Sequence, residues 1–139
     1  MNTTALIVPP EEIDTVWDKV SGYVRDALSH SQGELEVRHV YSMLQSGGMM
    51  MWIIVDDDEG AIVAAVVVEI LSYPIKRVCR VVGLGGRGLN QRIHHLSEIE
   101  AWAKSIGCDA MDSMCRDAFE KILTPLGYSK QYIIVGKPL

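Results

Sequence analysis

Arg80-Val81-Val82-Gly83-Leu84-Gly85-Gly86-Arg87-Gly88 places four glycines and two arginines between two patterned segments. Before and into it runs an apolar stretch, Ile75 to Val82. After it, Leu89, Ile93, Leu96, Ile99, Ala103 and Ile106 recur at helical spacing as far as Gly107. A strand, a glycine-rich turn and a helix start can bring backbone N–H groups up to an anion. Glycine has no side chain to hold a phosphate away, and the first turn of a helix has N–H groups without partners. Arg80 and Arg87 add fixed positive charge. A plainer reading is that the glycines close a loop or interrupt a strand. Under the first reading, residues 83–88 form a loop whose N–H groups face a cleft.

Upstream, Ala5-Leu6-Ile7-Val8 is stopped by Pro9-Pro10 and predicts a first strand. Glu11 and Glu12 suit the start of a helix that runs to about Ser29. A shorter pattern, Val37, Val40, Tyr41 and Leu44, predicts a second helix closed by Gly47-Gly48. Met49 to Val55, Ala61 to Leu71 and Ile75 to Val82 predict three strands with short connections, hence an antiparallel meander. The valine run in the second of these predicts a central strand covered on both faces. Downstream of the long helix, Cys108 to Met111 predicts a short strand. Ala118, Phe119, Ile122 and Leu126 predict a helix stopping near Gly127, and Tyr132-Ile133-Ile134-Val135 a last strand. The order β-α-α-β-β-β-α-β-α-β describes a single α/β domain over residues 1–139. Its expected form is a mixed (α+β) sheet of about six strands with about two helices on each face.

Composition narrows the function classes. At 48% hydrophobic and 22% charged residues the chain is globular. A net charge of -5 gives no basic field for nucleic acid. The longest apolar run, Ala61 to Val68, is about half of what a membrane helix needs. Met1-Asn2-Thr3-Thr4 lacks the regions of a signal peptide. Cys79, Cys108 and Cys115 have no C-x-x-C spacing, so the expectation is free thiols in a reducing cytoplasm, with neither a disulfide framework nor a zinc site.

The element order, with the glycine–arginine stretch between the fourth strand and the third helix, resembles the GNAT N-acetyltransferase superfamily over nearly the whole chain. That family's pyrophosphate loop reads Gln or Arg, two residues, Gly, any residue, then Gly or Ala. Arg80-Val81-Val82-Gly83-Leu84-Gly85 fits the pattern, while Arg87-Gly88 sits nearer the helix start, where the family's loop lies. Both registers stay open. The resemblance implies a GNAT-like fold, acetyl-CoA as cofactor and an amine as acetyl acceptor. It implies that Arg80, Val82, Gly83, Gly85, Gly86, Arg87 and Gly88 hold the cofactor.

Ala101 to Cys108, the short strand after it and Leu126-Gly127-Tyr128 resemble the family's C-terminal half. There the resemblance implies a tyrosine, placed before the closing glycine, that protonates the departing thiolate. Leu123 stands at that position and donates no proton, so weak turnover is expected, rising in Leu123→Tyr. A general base takes a proton from the amine. Glu69 is the only acid within Ala61 to Val82, and its alternative is a solvent-facing place at the polar end of its strand. The chain is also similar to small bacteriophage GNAT-like proteins. That likeness implies a second function, a virion, assembly or host-interaction protein that keeps the fold without catalysis and has protein partners in a phage particle.

Other features have plain expectations. Asp56-Asp57-Asp58-Glu59-Gly60 lacks EF-hand spacing and predicts a solvated hairpin turn. His94 and His95 are neighbours expected on different helix faces, in surface roles rather than catalysis, with the edge of a ligand pocket as the alternative for either. Of Met49, Met50 and Met51, at least two are expected in the core. Cys115 beside Arg116 raises the prospect of a lowered thiol pKa.

Overall fold

The structure, a computed structural model, describes residues 2–31 and 33–139. Its sheet contains β1 (Thr3–Val8), β2 (Met50–Asp56), β3 (Ile62–Ser72), β4 (Arg77–Gly86) and β5 (Ala110–Ser113), side by side in chain order. β1 to β4 are antiparallel, and β5 is parallel to β4. A parallel neighbour requires a crossover. It is made by α3 (Leu89–Arg92), a 3-10 turn (Ile93–His95) and α4 (Leu96–Ser105). The predicted long helix is therefore tightened in its middle.

Two layers of helix sandwich the sheet. α1 (Ile13–Leu28) and α2 (Val37–Ser46) bring Val20, Val24, Val40 and Leu44 onto one face, against Met51, Ala65 and Val67. α4 and α5 (Asp117–Leu123) bring Leu96, Ile99, Ala103 and Leu123 onto the other, against Val66, Val68, Cys79 and Val81. β3 is central, and Val63 to Val68 are all buried, as the valine run predicts. Burying a valine or leucine side chain contributes about 1.5–3 kcal/mol, so this doubly covered strand dominates the core. Met49 and Met51 are buried with it. The capping of α2 is reciprocal, with the Glu36 N–H donating to His39 Nδ1 at 3.0 Å, and Gly47 ends that helix at φ +82°. Among the described residues no helix is long and apolar enough to cross a membrane.

Three expectations are corrected. β4 runs on through Gly86, so residues 83–86 are strand and only Arg87 and Gly88 form the turn before α3. β5 begins at Ala110 because Cys108 is used in closing the preceding helix and Asp109 only joins the start of β4. The Cys108 N–H donates to the carbonyl of Ala103 at 2.9 Å and that of Asp109 to Arg77 at 2.8 Å. The last strand of the predicted order is absent, since residues 132–135 have no secondary structure. Their β-branched composition favours a strand, but a strand exists only through a neighbour's hydrogen bonds, and among the described residues this run has none.

Candidate functional site

The site is set by the unequal lengths of β4 and β5. β5 covers β4 only from Val78 to Val81. Beyond Val81, β4 continues beside β3 alone, with Gly83 opposite Val67 and Gly85 opposite Ala65. Its other edge, Val82 to Gly86, has no strand neighbour among the described residues. A bulge at Val67/Val68 falls at the same level, and a bulge bends a strand and re-aims it. β4 and β5 part there, and a broad groove opens that includes Glu69, Arg80, Gly83, Asp112 and Ile133 in its walls.

Two glycines of β4, Gly83 and Gly85, face α1 at different distances. A Cβ on Gly85 would lie 2.2 Å from the carbonyl oxygen of Tyr23, and one on Gly83 would lie 3.2 Å from Cβ of Ala27. Both contacts are with α1, so Gly85 is required by a helix backbone lying directly on the strand. Gly88 takes the left-handed conformation (φ +61°) that begins α3. Arg92 Nη1 donates to the carbonyl oxygens of Arg87 and Gly88 at 2.5 and 3.3 Å, fastening that turn.

The sequence matches no family model and no curated protein. Solved structures do match it in shape. Glucosamine-6-phosphate N-acetyltransferase from Arabidopsis thaliana is 14% identical, with a TM-score of 0.68 over 99% of each chain. An aminoglycoside acetyltransferase from an uncultured soil metagenomic sample is 12% identical, with a TM-score of 0.69 over 100% of this chain and 99% of that one. A predicted acetyltransferase of Clostridium acetobutylicum, crystallised with acetyl-CoA, is 10% identical, with a TM-score of 0.68 over 97% and 96%. The chain has the GNAT fold. At these identities the likeness is one of fold.

Within the GNAT fold the expected cofactor-binding residues are not equivalent. Arg80 Nε and Nη2 donate to the two carboxylate oxygens of Asp112 at 2.9 and 3.0 Å, a bidentate pair across the β4–β5 seam. Hydrogen bonding to Asp112 holds the guanidinium charged well above its usual range. Arg80 thus stitches the seam, and its charge is answered within the protein. Arg87 is exposed, and no hydrogen bond or ion pair is made by its side chain among the described residues. Val82 packs toward the α1–α2 layer. Glu69, opposite Arg80 in the β3–β4 ladder, is half-buried in the groove wall and makes no side-chain hydrogen bond among the described residues.

The other candidates separate in the same way. Leu123 is 5% exposed and belongs to the core under α4. The Tyr128 hydroxyl donates to Glu100 Oε2 at 2.6 Å, and burial together with that bond raises its pKa. The Cys115 thiol is also raised, first by burial and then by Glu120 and Asp117, against the lowering that Arg116 beside it suggests in the sequence. Asp56 is buried and accepts the N–H of Asp58 at 2.9 Å, so the acidic turn is organised by its own first residue.

His95 corrects the expectation of a surface role. It is 5% exposed, with Nδ1 2.6 Å from Glu98 Oε1 and Nε2 2.7 Å from Thr3 Oγ1. The rings of His94 and His95 lie against each other, centroids 4.2 Å apart. The His95–Glu98 spacing of three was a usable helical signal. The Arg80–Asp112 pair had none, because it depends on the β4–β5 register.

Proposed function

We propose that this chain binds acetyl-CoA along β4 and acts as an N-acetyltransferase of low turnover on a small amine. The unpaired β4 edge, Val82 to Gly86, running into the helix start at Gly88, carries the reading. Such an edge offers alternating N–H and C=O groups to an extended, amide-bearing chain. Arg87 and the first N–H groups of the helix suit a pyrophosphate. That assignment favours the Arg87-Gly88 register and leaves Arg80 with Asp112.

Bound acetyl-CoA supplies an activated acetyl thioester. Glu69 is the proton acceptor for the attacking amine, since its carboxylate stands in the groove wall without a protein partner. No acid is available at Leu123 to protonate the thiolate, and Tyr128 is engaged by Glu100. General acid catalysis contributes roughly a hundredfold or more, hence the low turnover. The same two residues favour a second reading, in which the fold binds a ligand or protein without catalysis. No feature of the structure favours a virion partner over any other.

Calorimetry with acetyl-CoA tests the reading. Saturable heat at micromolar ligand, weakened about tenfold by Arg87→Glu, supports it. Silence at millimolar ligand sinks it. Given binding, a Glu69→Gln variant that acetylates amines as fast as the wild type removes Glu69 from the reaction.

A further inference from the structure

We propose that the Thr3 hydroxyl is a nucleophile which, with His95 as its base, takes an acyl group covalently from an activated ester or thioester of a short apolar acid. Thr3 on β1 and His95 in the helical crossover are 92 residues apart in sequence, and the fold brings them together. His95 Nε2 lies 2.7 Å from Thr3 Oγ1, and Nδ1 lies 2.6 Å from Glu98 Oε1. A carboxylate only accepts hydrogen bonds, so the neutral ring carries its proton on Nδ1 and turns a lone pair on Nε2 toward Thr3. The hydroxyl therefore donates to Nε2. A hydroxyl bonded to a base that a third group orients is the arrangement that activates a nucleophile, and geometry rather than sequence position identifies it. Glu98 is the positioning residue, acting through the ring.

The surroundings suit this chemistry. The His95 ring is buried and the His94 ring lies against it, so it has little freedom to turn. Asp56 stands opposite Thr3 in the β1–β2 ladder, but its Oδ1 accepts the N–H groups of Asp58 and Glu59 at 2.9 and 3.4 Å and does not compete for the hydroxyl. Ala5, two residues along β1 and so on the same face as Thr3, walls a small apolar cavity that His95 also borders, with Ile54, Ile93 and Leu96. That lining suits a short hydrocarbon tail, which sets the class of acid. Thr3, His95 and Glu98 lie outside the walls of the groove beside β4, and β1 is at the opposite edge of the sheet from β5. The site is therefore distinct from the one proposed for acetyl-CoA. In the reaction a lone pair on Oγ1 attacks the acyl carbon as the O–H proton passes to Nε2. The bond from acyl carbon to the leaving oxygen or sulfur breaks with its electron pair, and Nε2 returns the proton to that atom. The products are an ester on Thr3 and a free alcohol or thiol.

The probe is p-nitrophenyl acetate, which needs no coenzyme site, so the outcome is independent of acetyl-CoA binding at β4. With the full chain, p-nitrophenolate should appear in a burst equal to the protein present. Peptide mass spectrometry should then place an acetyl group on Thr3, removed by alkaline hydroxylamine as an ester is. Thr3→Val keeps the side chain's shape without the hydroxyl and should abolish the burst, while Thr3→Ser retains it. His95→Gln should slow the burst about a hundredfold or more. Glu98→Ala should also slow it, and Glu98→Gln, which still offers the Nδ1–H an acceptor, should restore part of the loss. Circular dichroism checks the fold of each variant, and if His95→Gln does not fold, the two Thr3 variants decide alone. No burst in the wild type, a burst unchanged in Thr3→Val, or acetyl groups only on cysteine or lysine overturns the proposal. A rate unchanged in Glu98→Ala removes Glu98 from it.

Discussion

Residues 77–81 and 82–86 belong to one strand, β4, yet only the first stretch is stabilised from both sides. Val78 to Val81 lie between β3 and β5, with Cys79 fully buried and Arg80 clamped to Asp112. Val82 to Gly86 have β3 on one side and an open groove on the other, while α1 presses directly onto Gly85. The enclosed stretch is built by side chains and the open stretch by backbone. That difference explains how a glycine-rich sequence can be a strand. Its glycines let a helix approach on one face and leave an unpaired edge at the other side.

Breaking the packed side of the open stretch should have the largest effect. Gly85→Ala places a carbon 2.2 Å from the Tyr23 carbonyl oxygen, a backbone atom, so α1 or β4 must shift. We expect a loss of about 3 kcal/mol or more in urea unfolding, or no soluble protein. A loss under about 1 kcal/mol would show that α1 does not lie on the strand. Leu123→Tyr tests the layer beneath the enclosed stretch. Overpacking a core position that is 5% exposed should cost about 1–3 kcal/mol, and the gain in acetylation expected from the sequence should not follow, because the side chain is packed in the core. A measured gain in rate would mean the side chain faces the groove instead.

Arg80→Met removes the clamp at the point where the two stretches meet. It leaves the half-buried Asp112 carboxylate without its partner, for an expected loss of about 2 kcal/mol, partly recovered in Arg80→Met/Asp112→Leu. No recovery in the double variant would mean the pair is not coupled.

Cys79 adds a pH dependence to the enclosed stretch. Burial pushes its thiol from 9.0 up to about 12. In that window the unfolded chain ionises while the folded one keeps its proton. Stability should therefore fall as pH rises from about 9 toward 12, by up to about 1.4 kcal/mol per unit. Cys79→Val should flatten that fall, and an unchanged slope would assign it elsewhere. Gly83→Ala should have the smallest effect of these, under about 1 kcal/mol, because its Cβ meets only the Ala27 methyl at 3.2 Å. A cost equal to that of Gly85→Ala would erase the distinction between the two glycines.

Local pattern was enough for much of this molecule. The valine run Val63 to Val68 reads as a doubly covered strand because its apolar residues do not alternate, and it is one. The helices that begin at Ile13, Val37 and Asp117 follow from apolar spacing, and the second also from its closing glycine. Arg87-Gly88 reads as a turn before a helix, and it is that. What local pattern cannot carry is the identity of a neighbour. Gly83 to Gly86 read as loop because glycine weakens an isolated strand, whereas here β3 supplies the ladder and α1 the reason for glycine at Gly83 and Gly85.

The sequence by itself determined the α/β class, the central strand and the two helical layers, because periodicity and burial are properties of neighbouring residues. Only the tertiary structure decided where β4 ends, which arginine is neutralised, and that Tyr132 to Val135 lie unpaired. Each of these depends on register or contact between segments far apart in the chain. The 32-residue separation of Arg80 from Asp112 is spanned by a crossover whose geometry no local spacing encodes.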